Sequence, residues 1–142
     1  MKQILLIMIG LSAYMHAEFT IENQPSGVVK DTSTQLVWQD DYSDNGGNIK
    51  SIAWTDAIDY CEGLSLAGGG WRLPNKKELL SLVDYSKHNP SINGIFSHAT
   101  SSRYWSSTTG AGYTDDAWIV YFKGGYTNYG LKTSTFNVRC VR

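Results

Sequence analysis

The chain has 142 residues, with 12 lysines and arginines against 13 aspartates and glutamates and a formal net charge of -1. This balance disfavours a nucleic-acid binder that depends on neutralising many phosphates. Hydrophobic residues make up 42% of the chain and charged residues 18%, which is enough apolar material for a compact core and too much for a disordered chain. We therefore expect a single folded domain.

The first 17 residues differ in character from the rest of the chain. A positive charge at Lys2 precedes an apolar stretch over residues 4–11, and small residues such as Ala17 lie near the predicted cleavage site. This pattern is typical of a secretory signal peptide, with a retained N-terminal anchor as the alternative. The apolar stretch is shorter than the roughly 20 residues that a membrane span needs. The sequence thus predicts a signal peptide over residues 1–17, a mature domain over residues 18–142, export to the periplasm or the exterior, and no membrane span.

The chain contains two cysteines, Cys61 and Cys140. Cys61 falls on the apolar face of a helical pattern and Cys140 on the apolar side of an alternating β pattern, so both thiols are expected to point into the core. An even cysteine count in an exported chain favours a disulfide. A redox or metal-binding pair is the alternative, but it lacks a Cys-x-x-Cys spacing and neighbouring histidine ligands. We predict a Cys61–Cys140 bridge.

The first and last predicted elements are β-strands. Residues 28–30 and 36–39 flank a short polar segment that suits a turn, so they are predicted to form a hairpin. The last third of the chain returns to a β pattern, in which apolar residues alternate over residues 118–122 and Gly124 with Gly125 predicts a two-residue hairpin turn. Residues 136–141 close the chain as a strand.

Two helices are predicted between these strands. The first covers residues 54–66 and ends before a run of three glycines, which readily take the left-handed conformation that stops a helix. The second begins after Asn75, a good cap with Glu78 three residues on. Arg72, just before it, either presents its guanidinium to a ligand or ties its own loop to an acidic neighbour, and the structural role is favoured. We predict an α+β fold with two helices packed on antiparallel β-hairpins and tied by one long-range disulfide.

Five separated motifs follow one another along the chain: residues 55–61, 71–75 with 78–79, 104–108, 117–118 and 138–141. Together they resemble the Lcl C-terminal domain family of bacterial surface proteins, over residues 28–142. The cysteine layout also resembles the C-type-lectin-like fold, in which a bridge ties the first helix to the final strand. The family resemblance implies adhesion and the binding of sulfated polysaccharides.

The candidate ligand-facing surface lies between residues 103 and 132, where aromatic rings, hydroxyls and charges alternate with glycines. Loops and hairpins of this composition are where binding groups concentrate. Trp105 is a candidate for stacking on a sugar ring, but the favoured interpretation is a core residue at a strand start. A contiguous exposed patch of the tyrosines with Trp105 would favour ligand stacking, and buried tyrosines would disfavour it. The candidate ligand-binding residues are Arg103, Trp105, Tyr113, Tyr126, Tyr129 and Lys132.

Metal sites and catalytic groups are not predicted. The acidic loop over residues 40–48 lacks the order of a calcium-binding loop, and Asp115 with Asp116 lacks the triplet of calcium-dependent sugar binders. His88 and His98 lie in no nucleophile or zinc motif. We therefore expect no enzyme activity, no metal and no cofactor.

The function predicted from these features is an exported, non-enzymatic binding module for a glycan or another surface macromolecule. The alternative is a structural or protein-interaction domain without a small-molecule site. Because cations in the candidate surface are few, a sulfated polysaccharide is expected to bind weakly unless a homo-oligomer gathers several copies of the surface.

Overall fold

The computed structural model describes residues 18–142 and contains two β-sheets, two α-helices and two short 3-10 helices. The predicted signal peptide lies outside the described residues. The strands are β1 (Phe19–Thr20), β2 (Val28–Asp31), β3 (Val37–Gln39), β4 (Ser51–Ile52), β5 (Arg103–Gly110), β6 (Tyr113–Tyr121), β7 (Tyr126–Leu131) and β8 (Phe136–Asn137). The helices are α1 (Trp54–Gly63) and α2 (Lys76–Leu80), and the 3-10 helices are Ser43–Asn45 and Leu66–Gly68.

The larger sheet separates two hydrophobic cores among the described residues. Its strand order is β4-β8-β5-β6-β7, and the smaller sheet runs β1-β2-β3. Trp105 and Ile119 point to the side that carries α1, where they pack with Cys61. Their neighbours Tyr104 and Val120 point to the opposite side, which α2 and the smaller sheet cover. Side chains that alternate along each central strand therefore enter different cores, so both faces of the sheet are used.

The disulfide between Cys61 and Cys140 is present, with both residues fully buried. It ties α1 to the chain after β8. The α+β single-domain fold with two helices and one bridge is confirmed, while the lectin-like layout stays a prediction. One pairing departs from the expected antiparallel pattern, because β5 and β8 run parallel where Tyr104 pairs with Asn137.

The turn between β6 and β7 differs from the prediction. β6 ends at Tyr121 and β7 begins at Tyr126, so four residues form the turn. Phe122 leaves the strand because its backbone N–H donates to Ser102 and its ring is buried in the core. Gly125 has a φ of 78°, and a Cβ there would lie 2.3 Å from a methyl of Val83. The position therefore requires glycine for both its backbone conformation and its packing.

Residues 138–142 connect parts of the fold that lie far apart in the chain. The N–H of Gln39 donates to the carbonyl of Cys140 at 3.0 Å, and Val37 and Arg142 exchange backbone hydrogen bonds at 2.8 and 2.9 Å. Arg72 and Val141 exchange a similar pair at 2.9 Å. The segment thus joins β3 to the loop that precedes α2.

Arg139 within this segment is a buried cation, with 1% of its surface exposed. Its guanidinium donates to the carbonyls of Gln39 and His98 and lies 3.3 Å from the Asp40 carboxylate. Asp40 in turn accepts hydrogen bonds from the N–H and hydroxyl of Ser97 at 2.8 and 2.7 Å. Both charges are therefore paired and hydrogen-bonded, as burial of an ion requires. Asp40 serves this network instead of the solvated loop expected from the sequence.

The start of α2 is held by a reciprocal cap. The Asn75 side chain accepts from the N–H of Glu78 at 2.8 Å, and the Glu78 carboxylate accepts from the N–H of Asn75 at 2.9 Å. Arg72 donates to both oxygens of the same carboxylate at 2.7 and 2.6 Å. Arg72 therefore ties its own loop, as the favoured interpretation of the sequence predicted.

This cap makes stability depend on pH. The hydrogen bonds from Arg72, together with the N–H of Asn75, hold the pKa of Glu78 below its ordinary value. A carboxyl whose pKa falls on folding stabilises the protein above its unfolded pKa of about 4.3, and this stabilisation is lost as the pH falls through the folded pKa. We expect Glu78→Gln to lower the urea midpoint at about pH 7 and to matter less at about pH 3. Glu62→Gln on the exposed side of α1 is the control, and an effect of Glu78→Gln that does not shrink with pH would contradict the ion pair.

Candidate functional site

The six predicted ligand-binding residues do not form one surface. Trp105 is fully buried, its ring lies 4.7 Å from that of Phe136, and its indole N–H donates to the carbonyl of Ile52 at 2.9 Å. A ring enclosed in this way offers no face to a sugar. The structure therefore removes Trp105 from the candidate ligand-binding residues and confirms the favoured interpretation, a core residue at a strand start.

Lys132 is also engaged within the fold. Its ammonium donates to the carbonyl of Thr114 at 2.7 Å and to the hydroxyl of Thr109 at 3.1 Å. The same ammonium lies 4.1 Å from the centroid of the Trp54 ring, a cation–π contact. Lys132 thus holds the β6–β7 edge to α1, and it is not placed as a free cation for a ligand.

Strand register divides the remaining candidates between the two faces of the sheet. On β7, Tyr129 pairs with Trp118, whereas Tyr126 pairs with Tyr121. Tyr126 and Tyr129 are three residues apart on one strand, so they point to opposite faces. Tyr129 lies on the face that carries α2, and Tyr126 lies on the face that carries α1.

The face with α2 carries a row of four contacting side chains, which we call the aromatic stack: Lys76, Trp118, Tyr129 and Tyr113. The ammonium of Lys76 lies 3.3 Å from the Trp118 ring centroid, and the rings of Trp118 and Tyr129 are 4.0 Å apart. The Tyr113 ring follows at 5.9 Å from Tyr129. Tyr113 is 64% exposed and Tyr129 38%. The stack is therefore closed by a lysine at one end and open to solvent at the tyrosine end.

Local backbone features create the stack. Trp118 and Tyr129 are direct cross-strand partners, the arrangement in which side chains on one face lie closest. The pairing of β5 with β6 shifts its register before Gly110, which then pairs with Tyr113. A Cβ at Gly110 would lie 2.9 Å from the Tyr129 ring. The glycine therefore leaves the space that this ring occupies.

A shallow cleft of about 420 Å³ adjoins the stack and shares Lys76 with it. Its volume falls in the range of roughly 300–1,000 Å³ that is usual for small-molecule sites. The hydroxyl oxygen of Thr108 accepts from the N–H of Lys76 at 3.0 Å and thereby fixes α2 against β5. The lining residues are Asn75, Lys76, Lys77, Leu80 and Thr108.

A second exposed surface lies on the face that carries α1. The guanidinium carbon of Arg103 is 4.9 Å from the Tyr121 ring centroid, and the Tyr126 ring meets Tyr121 edge to face at 5.1 Å. Tyr126 is 53% exposed. We call these three residues the arginine–tyrosine patch. It contains two of the predicted residues, Arg103 and Tyr126.

Sequence reasoning missed Trp118 and Lys76 as members of the site. The alternation around Trp118 correctly indicates a strand, but an alternating pattern alone does not state which partner strand or helix lies beside it. The contact between Lys76 and Trp118 joins residues 42 positions apart. Only the register of β6 with β7 and the placement of α2 against them bring the two together.

The described residues contain neither a membrane-spanning helix nor a cluster of metal-binding side chains. Within residues 18–142, no helix has the length and apolar character needed to cross a bilayer. Over the same residues, no three histidine, cysteine or acidic side chains are grouped so that they would hold a metal ion.

The fold and the surface together define a disulfide-bridged α+β domain with an exposed row of aromatic side chains. The family model described as the Lcl C-terminal domain matches residues 27–142. The chain therefore belongs to the Lcl C-terminal domain family, and the resemblance seen in the sequence is confirmed. A comparison with curated proteins finds no match.

Proposed function

We propose that this domain is an exported, non-enzymatic module that binds a glycan through the aromatic stack and so serves adhesion. The observation that carries the proposal is the exposure of two adjacent tyrosine rings, Tyr113 and Tyr129. Aromatic faces present large apolar area at low conformational cost and pack well against the C–H faces of pyranose rings. Contact with Trp118, which itself carries the Lys76 ammonium on its ring, restrains the Tyr129 ring before any ligand arrives and so reduces the entropy lost on binding.

Export is supported by the disulfide, because such bridges persist mainly in oxidising compartments. A non-enzymatic role is supported by the arrangement of the groups that most resemble a hydrolase site. Ser97, His98 and Asp40 lie together, but the Ser97 hydroxyl donates to Asp40 at 2.7 Å while the nearest nitrogen of His98 is 3.2 Å away. Asp40 also pairs with Arg139. This arrangement lacks the serine-to-histidine relay that activates a nucleophile.

In this proposal, charged side chains contribute less to the affinity for a glycan than the aromatic rings do. Lys76 lies on the Trp118 ring and Lys132 on the Trp54 ring, so neither ammonium extends freely toward a polyanion. Lys77 in the cleft is exposed. A single domain should therefore bind a sulfated polysaccharide weakly and with strong salt dependence, and several copies on one surface would raise the overall avidity.

The test compares two exposed tyrosines of the same sheet on a glycan array, with affinities measured for the glycans that bind. Tyr113→Ala removes the open end of the stack and should weaken binding about three- to tenfold, the effect of an aromatic contact worth roughly 0.5–1.5 kcal/mol. Tyr126→Ala on the opposite face is the matched control and should leave affinity unchanged. Circular dichroism melts would verify that both variants fold.

Two results would overturn the proposal. Loss of binding in Tyr126→Ala with none in Tyr113→Ala would move the site to the arginine–tyrosine patch. The absence of any glycan whose binding depends on Tyr113 would favour the structural or protein-interaction alternative.

A further inference from the structure

The turn between β6 and β7 carries exposed groups that the proposed glycan site does not use. A Cβ at Gly125 would lie 3.2 Å from the Tyr85 ring. A Cβ at Gly124 would lie 3.3 Å from the Tyr126 ring. The two tyrosines therefore flank the turn, Tyr85 with 73% of its surface exposed and Tyr126 with 53%. Lys123, within the turn, is exposed as well.

The loop over residues 84–91 packs against this turn and adds a second lysine. The N–H of Asn89 donates to the carbonyl of Lys123 at 3.0 Å. The Tyr85 hydroxyl donates to the carbonyl of Gly125 at 3.2 Å. Lys87 is exposed and lies midway between these two anchored loop residues. The loop therefore brings Lys87 to the same end of the sheet as Lys123.

Arg103 supplies a third cation at this end. It pairs across the sheet with Tyr121, the last residue of β6 before the turn. Its guanidinium lies on the Tyr121 ring, and that ring meets the Tyr126 ring. Arg103 is exposed. We call this group the basic turn, and its members are Tyr85, Lys87, Arg103, Lys123 and Tyr126.

The charge of this end is opposite in sign to that of the whole domain. Residues 84–91, 102–104 and 121–126 contain three lysines and arginines and one acid, whereas residues 18–142 contain 11 lysines and arginines against 13 aspartates and glutamates. The one acid is Asp84, whose carboxylate accepts from the N–H and the hydroxyl of Ser86 at 2.9 and 2.5 Å. The local excess of cations attracts an anionic partner.

We propose that the basic turn is a contact surface for a bilayer that contains anionic phospholipids. Tyrosine rings favour the interface between lipid headgroups and water because they combine an apolar body with a polar tip. Lysine and arginine side chains close to such a surface are attracted by its negative potential. The two exposed rings beside the cations favour a bilayer over a soluble polyanion, for which charge alone would suffice.

This contact does not depend on the proposed function, and it gives the glycan site an orientation. β6 begins at Tyr113 in the aromatic stack and ends at Tyr121 beside the basic turn, so the two surfaces lie roughly 25 Å apart along the strand. A domain that rests on a membrane by the basic turn therefore presents the exposed rings of the stack at its far end.

Co-sedimentation with vesicles tests this surface. The protein is recovered after export, and its intact mass verifies that residues 1–17 are absent. It is then mixed, at about 0.1 M salt, with vesicles of phosphatidylcholine alone or of phosphatidylcholine with an equal amount of phosphatidylglycerol. We expect binding to the anionic vesicles that weakens as the salt concentration rises, and at least tenfold weaker binding to the neutral ones, as roughly 1 kcal/mol for each of three cations implies.

Single substitutions assign the binding to the basic turn. Lys123→Gln should weaken binding to the anionic vesicles about fivefold, the effect of one cation near the surface. Lys77→Gln, at an exposed lysine of α2, is the charge-matched control and should leave binding unchanged. Tyr126→Ala should also weaken binding about fivefold, since it removes roughly 40 Å² of apolar contact with lipid. Tyr113→Ala is the control for an exposed tyrosine, and melts would verify that all variants fold.

The outcomes separate this inference from the proposed function. Equal binding to the two kinds of vesicle, or an effect of Lys77→Gln as large as that of Lys123→Gln, overturns the membrane contact. Binding that Tyr126→Ala leaves intact and that dextran sulfate displaces also overturns it, because the site would then be one for soluble polyanions. Tyr126→Ala should lose vesicle binding and keep glycan binding, and Tyr113→Ala should do the reverse. Glycan binding through Tyr113 without any vesicle binding removes this inference alone.

Discussion

Removal of the disulfide should lower the free energy of unfolding by about 4 to 5 kcal/mol, the chain-entropy value for a loop of this length. The bridge joins residues separated by 79 positions, and both sulfurs are buried between the sheet and α1. A domain of ordinary stability has only about 5–15 kcal/mol in total. The Cys61→Ala, Cys140→Ala double variant should therefore unfold in much less urea than the oxidised protein.

Urea unfolding of the oxidised protein, the reduced protein and the double variant would check this expectation. Replacement of both cysteines leaves no free thiol to form mixed disulfides, so the double variant and the reduced protein should agree. Ala57→Gly in the same helix is a useful comparison because it lowers helix propensity by about 1 kcal/mol and removes a buried methyl while leaving both cysteines in place. Equal midpoints for oxidised and reduced protein would show that the bridge does not stabilise the fold.

Replacement of the buried arginine is the second change with a large expected effect. Arg139→Met should destabilise the protein by about 3 to 5 kcal/mol, because it leaves the carboxylate of Asp40 buried without its cation. The carbonyls of Gln39 and His98 lose their guanidinium donor in the same step. Methionine retains the apolar stem, so the loss reflects charge and hydrogen bonding more than packing.

A double-mutant cycle would separate the ion pair from the rest of the network. The Asp40→Asn, Arg139→Met pair should be less destabilised than the sum of the single changes, because the second change removes the unpaired charge. Arg103→Met is the matched control, since Arg103 lies on the exposed face of the Tyr121 ring. Strict additivity of the two buried changes would contradict a stabilising contact between Asp40 and Arg139.

Structural features that depend on residues close together in the sequence could be predicted. The cap at Asn75 and Glu78 follows from a spacing of three residues, and the structure contains both hydrogen bonds. The inward direction of Cys61 follows from the helical period. Cys140 also points inward as predicted, but the strand expected over residues 136–141 ends at Asn137, and Arg139, which the alternation places on the outer side, is buried as well. Each prediction needs only local geometry, and the disulfide follows once both directions are known.

The candidate surface could not be predicted in the same way. Trp105 and Trp118 both lie in alternating strand segments, yet one is fully buried and the other joins the aromatic stack. The difference arises from what covers each ring. Residues of α1 and Phe136 enclose Trp105, whereas the side chain of Lys76 from α2 lies on the half-exposed Trp118. Such coverage depends on contacts between residues distant in sequence, which no short pattern specifies.

The position of residues 138–142 has a consequence for how the nascent chain acquires its structure. These residues supply the second cysteine, the buried guanidinium and the backbone partners of Val37, Gln39 and Arg72. The ribosome synthesises them after every element that they join. Until they leave the exit tunnel, β3 and the loop before α2 have no link through this segment, and Asp40 has no cation. Completion of the fold therefore waits for residues 138–142, and a chain truncated before Val138 should lack both the disulfide and the buried ion pair.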